Sequence, residues 1–130
     1  KTALVTGGTR GIGLSTAQKF IEQGWNVYIT SRKQENLDAA LSENPQLKGF
    51  VARADDLAAA TETCKSVIDE TGSLDILVNN AGTNPSGGSL LDVELSAVQK
   101  TWDVNLMGPL MWTREAVKAG LKESVLNFVL

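Results

Sequence analysis

Short apolar runs alternate with longer amphipathic stretches along most of this 130-residue chain. The short runs, which predict strands, are residues 3–5, 27–30, 49–52 and 74–78. Apolar residues recur at helical spacing in the stretches between them, which predict helices around residues 14–21, 37–41 and 60–68. Strand–helix units of this kind imply parallel strands joined by right-handed crossovers. The chain therefore predicts an α/β fold with a doubly wound parallel sheet.

The remainder of the chain predicts one long helix and a fifth strand. A loop at residues 82–88 leads into a helical stretch at residues 92–122, and the apolar run 124–130 then begins a strand. A domain seldom ends on such a strand, because its backbone needs a partner. We therefore expect residues 1–130 to form one domain that is incomplete at its carboxyl end, with strands one to five of a larger sheet.

Two residue types are nearly absent, and this excludes several kinds of site. The chain has no histidine, and Cys64 is its only cysteine. A disulfide within the chain, a zinc site built on His and Cys, and Ser-His-Asp or Cys-His catalysis are therefore excluded. We predict no metal site, and the helical pattern around Cys64 indicates packing.

Charge and hydropathy exclude further partners. The formal net charge is −3, which is a poor match for nucleic acid or an anionic membrane surface. No apolar run approaches the ~20 residues that a membrane-spanning helix needs. The first residues also lack the layout of a signal peptide. We expect no nucleic-acid partner, no membrane partner and a cytoplasmic location.

A glycine-rich loop, Thr6–Gly13, lies between the first strand and the first helix. Glycines let backbone N–H groups approach a ligand, and the N-terminus of the following helix favours an anion. The spacing Gly-x-x-x-Gly-x-Gly differs by one residue from the common dinucleotide pattern. The loop predicts a site for a dinucleotide diphosphate, and the alternative is a tight turn without a ligand.

The end of the second strand bears on the cofactor type. NAD-binding domains place an acidic residue near this point, but here Ser31 stands there and Arg32 follows. Arg32 could pair with a phosphate at the 2′ position of the ribose, and Arg10 is a second cation that could reach that phosphate. Two guanidiniums without a carboxylate favour NADP over NAD. The alternative is that both arginines are solvated surface residues.

Asn79-Asn80-Ala81-Gly82 follows the fourth strand, where parallel sheets bind ligands. Together with Thr6–Gly13, it resembles the short-chain dehydrogenase/reductase family, whose pattern is Thr-Gly-x-x-x-Gly-x-Gly after strand one and Asn-Asn-Ala-Gly after strand four. The resemblance implies a Rossmann-type fold, NADP(H), and hydride transfer between a small-molecule carbonyl and a secondary alcohol. The general appearance is nearest to members of the 3-oxoacyl reductase type.

The resemblance also implies which residues hold the cofactor. Those near the diphosphate and ribose are Gly7, Gly8, Thr9, Arg10, Gly11, Ile12 and Gly13. Ser31 and Arg32 would face the 2′ position, and Asn80, Ala81 and Gly82 would line the adenosine side. Asp56 and Leu57 would meet the adenine, with Asp55 as the alternative carboxylate.

Residues 102–106 resemble the family segment that carries a catalytic asparagine, which implies that role for Asn105. Pro109 has no N–H, so the carbonyl of Asn105 loses its helical hydrogen bond. In the family, this asparagine is thought to hold a water of a proton relay through its main chain. The alternative is that Asn105 merely tolerates a proline kink.

The rest of the family chemistry is not in this chain. The catalytic Ser and the Tyr-x-x-x-Lys pair are expected beyond the fifth strand. Tyr28, the single tyrosine, lies on strand two, and we expect it to have a structural role. A non-catalytic dinucleotide-binding or redox-sensing domain is therefore an alternative. A sugar-nucleotide epimerase or dehydratase is disfavoured, because those relatives space the glycines differently and carry an acidic residue at the position of Ser31.

The long helix also predicts a partner. Trp102, Met107, Met111 and Trp112 present more apolar surface than one sheet face can cover, and such surfaces mark protein interfaces. The family resemblance implies that this helix builds a dimer, within what is often a tetramer. We therefore expect a homo-oligomer formed through residues 92–122.

Overall fold

The computed structural model describes residues 1–127, which form a five-stranded parallel sheet in the order β3-β2-β1-β4-β5. The strands are β1 Thr2–Val5, β2 Asn26–Ser31, β3 Leu47–Val51, β4 Ile76–Asn79 and β5 Ser124–Asn127. The helices are α1 Gly11–Glu22, α2 Gln34–Glu43, α3 Leu57–Thr71, α4 Leu95–Trp102 and α5 Gly108–Ala119. The doubly wound α/β prediction is confirmed.

Each face of the sheet has its own apolar core. On one face, Leu4 and Leu77 pack with residues of α3 and α5, including Cys64 and Trp112. On the other face, Val5, Val27 and Val78 pack with residues of α1 and α2. β1 lies between β2 and β4 in the sheet. The crossover from β1 to β2 packs on one face of the sheet, and the crossover from β3 to β4 packs on the other. This arrangement opens a crevice outside the carboxyl ends of β1 and β4, where doubly wound folds bind ligands.

The long helix predicted for residues 92–122 is interrupted. A short 3₁₀ turn at Leu90–Asp92 precedes α4, and a π-helical turn at Asp103–Met107 separates α4 from α5. In that turn, the N–H of Gly108 donates to the carbonyl of Asp103, five residues back. Pro109 has no N–H to continue the regular ladder, and a wider turn is one way to accommodate that loss. The α5 helix ends at Gly120, whose φ of 115° suits a helix terminus.

The prediction that Trp112 faces outward with Trp102, Met107 and Met111 is wrong. Trp112 is 1% exposed and belongs to the core, because α5 packs this side chain against α3 and the sheet. Trp102 is 55% exposed, and the two methionines are half-buried. The outward apolar face of the segment is formed by Leu95, Val98, Trp102, Leu106, Leu110 and Val117.

The first four strands differ from their predictions by one or two residues at their ends. The largest differences are at the starts of β3, which begins two residues earlier at Leu47, and of β4, which begins two residues later at Ile76. The predicted strand 124–130 is present as Ser124–Asn127, and its last three residues lie outside the described part. The expectation of an incomplete domain stays a prediction. Within residues 1–127, no helix is long and apolar enough to cross a membrane.

Candidate functional site

A cleft of about 430 Å³ lies at the carboxyl ends of β1, β2 and β4. Its lining contains all but three of the residues that the sequence predicts for the cofactor. Those in the lining are Gly7, Thr9, Arg10, Gly11, Ile12, Gly13, Ser31, Arg32, Asn80, Ala81 and Gly82. The fold therefore brings together three motifs that are distant in the chain. The role of each residue towards a ligand stays a prediction.

Thr6 and Asn80 tie the glycine loop to the end of β4. The hydroxyl of Thr6 accepts hydrogen bonds from the N–H groups of Asn80 and Ala81, both at 3.1 Å. In return, the Nδ2 of Asn80 donates to the carbonyls of Thr6 and Gly7 at 3.0 and 2.9 Å. The Nδ2 group of Asn80 thus holds the glycine loop against the end of β4.

Three glycines in the loop meet different requirements. Gly7 and Gly11 have φ values of 63° and 56°, in the left-handed region that favours glycine. Gly13 is required for space, since a Cβ there would lie 2.4 Å from Nδ2 of Asn80 and 2.6 Å from the carbonyl of Gly7. A side chain at Gly11 would meet nothing within 4 Å, which leaves open space beside the cleft.

The N-terminus of α1 suits an anion. Arg10 is its N-cap residue, and no side chain caps the helix there. The first N–H groups of a helix are unpaired, and its dipole places partial positive charge at this end. The exposed Arg10 and the lining residues Gly11 and Gly13 lie at this helix start. This part of the site fits the diphosphate of a dinucleotide.

Positive charge continues around the cleft at the end of β2. Arg32 and Lys33 are exposed and line the cleft, as does Arg10. No ion pair joins any of these three to another residue within 1–127. Ser31 is buried, and its Oγ accepts a hydrogen bond from the N–H of Lys33 at 3.3 Å. An anion at this end of the cleft would find unneutralised cations.

Three predicted cofactor residues lie outside the lining. Gly8 is buried, and a Cβ added there would lie 2.5 Å from Cγ2 of Ile29. Asp56 is the N-cap of α3, and its carboxylate accepts from the N–H of Ala59 at 3.1 Å. Leu57 follows as the first residue of α3. Asp55 is the carboxylate in the lining, and which of the two aspartates meets the adenine stays a prediction.

Asp55 is held between two cations. Arg53 donates to both of its oxygens at 3.0 Å, and the Nζ of Lys100 on α4 donates to Oδ2 at 2.7 Å. The guanidinium of Arg53, followed by the ammonium of Lys100, holds the pKa of this carboxyl well below its usual range. Asp55 therefore faces the cleft as a paired carboxylate.

Asn105 lies at the middle of the π turn, and its side chain binds the backbone of Thr83. Its Oδ1 accepts from the N–H of Thr83 at 2.8 Å, and its Nδ2 donates to the carbonyl of Thr83 at 2.9 Å. Thr83 lines the main cleft, whereas Asn105 lines a neighbouring, mostly apolar groove of about 370 Å³ with Trp102 and Leu106. The side chain of Asn105 thus holds the residue after Gly82 on the π turn.

Several lining residues were not predicted from the sequence. They are Thr30, Lys33, Asn36, Ala52, Ala54, Asp55 (weighed only as an alternative), Thr83, Lys100 and Val104. Most adjoin a predicted motif and could have been included by extending it to its neighbours. Lys100 and Val104 come from the helical segment, and no motif signals them. Within residues 1–127, no group of three or more potential metal-ligating side chains is assembled.

The comparisons with known proteins agree with this geometry. Residues 1–125 match the family model described as short chain dehydrogenase. The human "Dehydrogenase/reductase SDR family member 4" is 35% identical over 121 residues, which are 90% of this chain and 44% of that protein. A "3alpha-hydroxysteroid dehydrogenase" of Mediterraneibacter gnavus is 36% identical over 124 residues, covering 91% and 49%.

A solved structure is similar over nearly the whole chain. A variant of actinorhodin polyketide ketoreductase, determined with NADPH, has a TM-score of 0.91 and 29% identity, over 98% of this chain and 52% of that one. This chain spans about half the length of the curated relatives that it matches. The matched family model, the two motifs and the topology lead to one conclusion: the chain belongs to the short-chain dehydrogenase family.

Proposed function

We propose that this chain supplies the cofactor-binding part of an NADP(H)-dependent oxidoreductase that interconverts a carbonyl and a secondary alcohol. The observation that carries the proposal is the cleft at the uncapped start of α1, which Arg10 and Arg32 border without an opposing carboxylate at Ser31. The nicotinamide supplies the hydride when the cofactor is bound. The chain itself binds and orients the dinucleotide.

The choice of NADP over NAD rests on charge. A ribose 2′-hydroxyl is bound best by a carboxylate, whereas a 2′-phosphate is bound by guanidinium groups. At the end of β2 the cleft offers Arg32 and Lys33, and the Oγ of Ser31 is engaged with the backbone of Lys33. The similar ketoreductase structure was determined with NADPH, which agrees with this choice.

The substrate proposal is a small-molecule ketone or secondary alcohol, with a 3-oxoacyl compound as the first candidate. Its support is the similarity to a polyketide ketoreductase, which is named for keto-group reduction. Asn105 is proposed as a catalytic residue that orders a proton-relay water through its main chain. The π turn supports this role, because it widens the backbone around Asn105.

The test is a fluorescence titration of the full-length protein with NADPH and with NADH. We expect NADPH to bind about 10- to 100-fold more tightly, as charge-assisted hydrogen bonds to a 2′-phosphate imply. Arg32→Ala should remove most of that preference, whereas Lys19→Ala, an exposed lysine paired with Glu22, should leave it intact. Equal affinity for both cofactors in the unmodified protein would contradict the NADP assignment.

Turnover separates the enzyme from a binding domain. We expect the full-length protein to oxidise NADPH when a 3-oxoacyl thioester or a simple ketone is added. Tight NADPH binding without turnover on a broad ketone panel would favour the alternative, a non-catalytic dinucleotide-binding or redox-sensing domain. Absence of binding for either cofactor would overturn the whole proposal.

We further propose a homo-oligomer, a dimer or a tetramer, formed through the helical segment, in the cytoplasm. The support is the outward apolar face, on which Leu110 and Val117 are 59% and 58% exposed. Light scattering of the full-length protein should show a dimer or tetramer, and Leu110→Glu with Val117→Glu should dissociate it. A monomeric unmodified protein would contradict this proposal.

A further inference from the structure

The loop between β3 and α3, residues 52–56, forms one wall of the cleft. Ala52, Ala54 and Asp55 face the cleft, while Asp56 caps α3. The N–H of Ala52 donates to the carbonyl of Ser31 at 2.9 Å, which fixes the start of the loop on β2. The remainder of this wall is held from another part of the chain, the helical segment α4–α5.

Lys100 on α4 makes the polar contact to this wall. Its Nζ donates to Oδ2 of Asp55 at 2.7 Å across 45 residues of sequence. The two side chains are 33% and 18% exposed, so water screens the pair less than it would a surface ion pair. Arg53 also pairs with Asp55, but it belongs to the same loop and cannot hold the loop against the helices.

Trp112 and Gly108 on α5 hold the neighbouring residue of the loop. The indole Nε1 of Trp112 donates to the carbonyl of Ala54 at 3.2 Å. A Cβ at Gly108 would lie 2.8 Å from the same carbonyl oxygen, so only glycine allows this close approach. Two adjacent loop residues, Ala54 and Asp55, are therefore fixed by two different helices.

The π turn explains how both helices reach the loop. In a regular helix of 3.6 residues per turn, positions 100 and 112 would point about 120° apart. A π turn fits about one more residue into a turn, which removes most of that difference. Lys100 and Trp112 accordingly meet the same loop from α4 and α5. The same turn carries Asn105, which holds Thr83 on another part of the cleft lining.

We propose that Lys100 is a positioning residue for the dinucleotide: through Asp55 it holds the β3–α3 loop at the width that the adenosine half of the cofactor requires. This inference rests on the proposed function, since it concerns the same cleft. Lys100 also lines the cleft, so direct contact with a cofactor phosphate is the competing explanation. The two explanations predict different couplings between Lys100 and Asp55.

A double-mutant cycle tests the proposal. Lys100→Gln, Asp55→Asn and the double variant are titrated with NADPH and with 2′,5′-ADP, which carries the adenosine half alone. If Lys100 acts through Asp55, each single change weakens binding of both probes about three- to tenfold. The double variant then binds each probe as tightly as the single variant with the lower affinity. If Lys100 contacts phosphate directly, the two effects multiply, and the proposal fails.

Three controls complete the test. Lys100→Arg should restore most of the affinity, because it keeps the charge beside Asp55. Lys19→Gln removes an exposed lysine on α1 and should leave both affinities unchanged. Trp112→Phe, which removes the donor to Ala54, should weaken 2′,5′-ADP binding without touching any charge.

The outcomes also separate this inference from the proposed function. If unmodified protein binds no dinucleotide, the proposed function fails. If it binds NADPH tightly but Lys100→Gln binds equally well, the proposed function stands and the positioning role is overturned. Thermal unfolding of each variant checks that it is fully folded at the temperature of the titration, so that a changed affinity reflects the loop and not a loss of folded protein.

Discussion

The side chain of Asn105 holds the backbone of Thr83 by both of its polar groups, the N–H through Oδ1 at 2.8 Å and the carbonyl through Nδ2 at 2.9 Å. This pairing fixes the loop that follows β4 to the π turn between α4 and α5. Oδ1 and Nδ2 each have one partner within the protein, and both partners belong to Thr83. The function proposed for Asn105 concerns its main chain, which these two hydrogen bonds help to keep in place.

Replacing this residue tests that role. Asn105→Ala removes both hydrogen bonds to Thr83 and frees the loop, so we expect turnover of the full-length protein to fall about 100-fold. NADPH affinity should change much less, because the glycine loop is held by Asn80. Steady-state kinetics with a cofactor titration measures both. Ser96→Ala, at an exposed residue on α4, is the control, and unchanged turnover in Asn105→Ala would refute the role.

The two glycines at the start of α1 should respond differently to alanine. Gly13→Ala places a Cβ against Asn80, so the amide must leave Thr6 and Gly7, and we expect a loss of about 3 kcal/mol in the free energy of unfolding. Gly11→Ala meets no neighbour and costs about 1 kcal/mol through its left-handed backbone alone. Urea denaturation compares them, and equal losses would contradict the assigned contact between Gly13 and Asn80.

Tyr28 is expected to act in stability and not in catalysis. It is buried on β2, and its hydroxyl donates to Oε2 of Glu70 on α3 at 2.6 Å. Burial, followed by the hydrogen bond to Glu70, raises the pKa of Tyr28 above its usual value, which suits a tyrosine that stays protonated. Tyr28→Phe should cost about 1 kcal/mol of unfolding free energy and leave kcat unchanged. A lowered kcat at unchanged stability would contradict this view.

The sequence predicted those parts of the site whose conformation depends on residues that are close together in the chain. The loop around Gly11 and Gly13 is a strand–helix turn, where glycine spacing alone indicates the conformation. Asn80 follows β4 directly, and the alternation of strands and helices is enough to place it beside that loop. The fold class was predictable for the same reason, because each strand–helix unit is recognisable by itself.

The residues that were misplaced or missed lie in the helical segment, where their positions depend on which residues share a side of the helix. A continuous helix at residues 92–122 was predicted, but the π turn changes which residues share a side after it. Trp112 was therefore expected outside and lies in the core, and Lys100 was not expected at the cleft. Pro109 indicated an interruption, but a proline does not specify whether a helix kinks or widens. The choice between Asp56 and Asp55 stays a prediction: Asp56 is the N-cap of α3, and Asp55 lines the cleft.

The ionised state of Asp55 should stabilise the fold at neutral pH. Arg53 and Lys100 lower its pKa, so its contribution is present above the ordinary aspartate value of about 3.9 and is lost as the pH falls towards the lowered value. Asp55→Asn should therefore reduce the free energy of unfolding at pH 6, and the difference from the unmodified protein should shrink below about pH 4. Urea denaturation at pH 6, 4 and 3 measures this.

The size of that difference reports on Lys100 as well. Without its ammonium, only Arg53 remains beside Asp55, so in a Lys100→Gln background the change Asp55→Asn should cost less at pH 6. Lys100→Arg keeps the positive charge and should retain most of the difference. A difference that stays constant from pH 6 to pH 3 would mean that the carboxylate is not stabilised by its two cations. The β3–α3 loop would then be held by α5 alone, through the contact of Trp112 with Ala54.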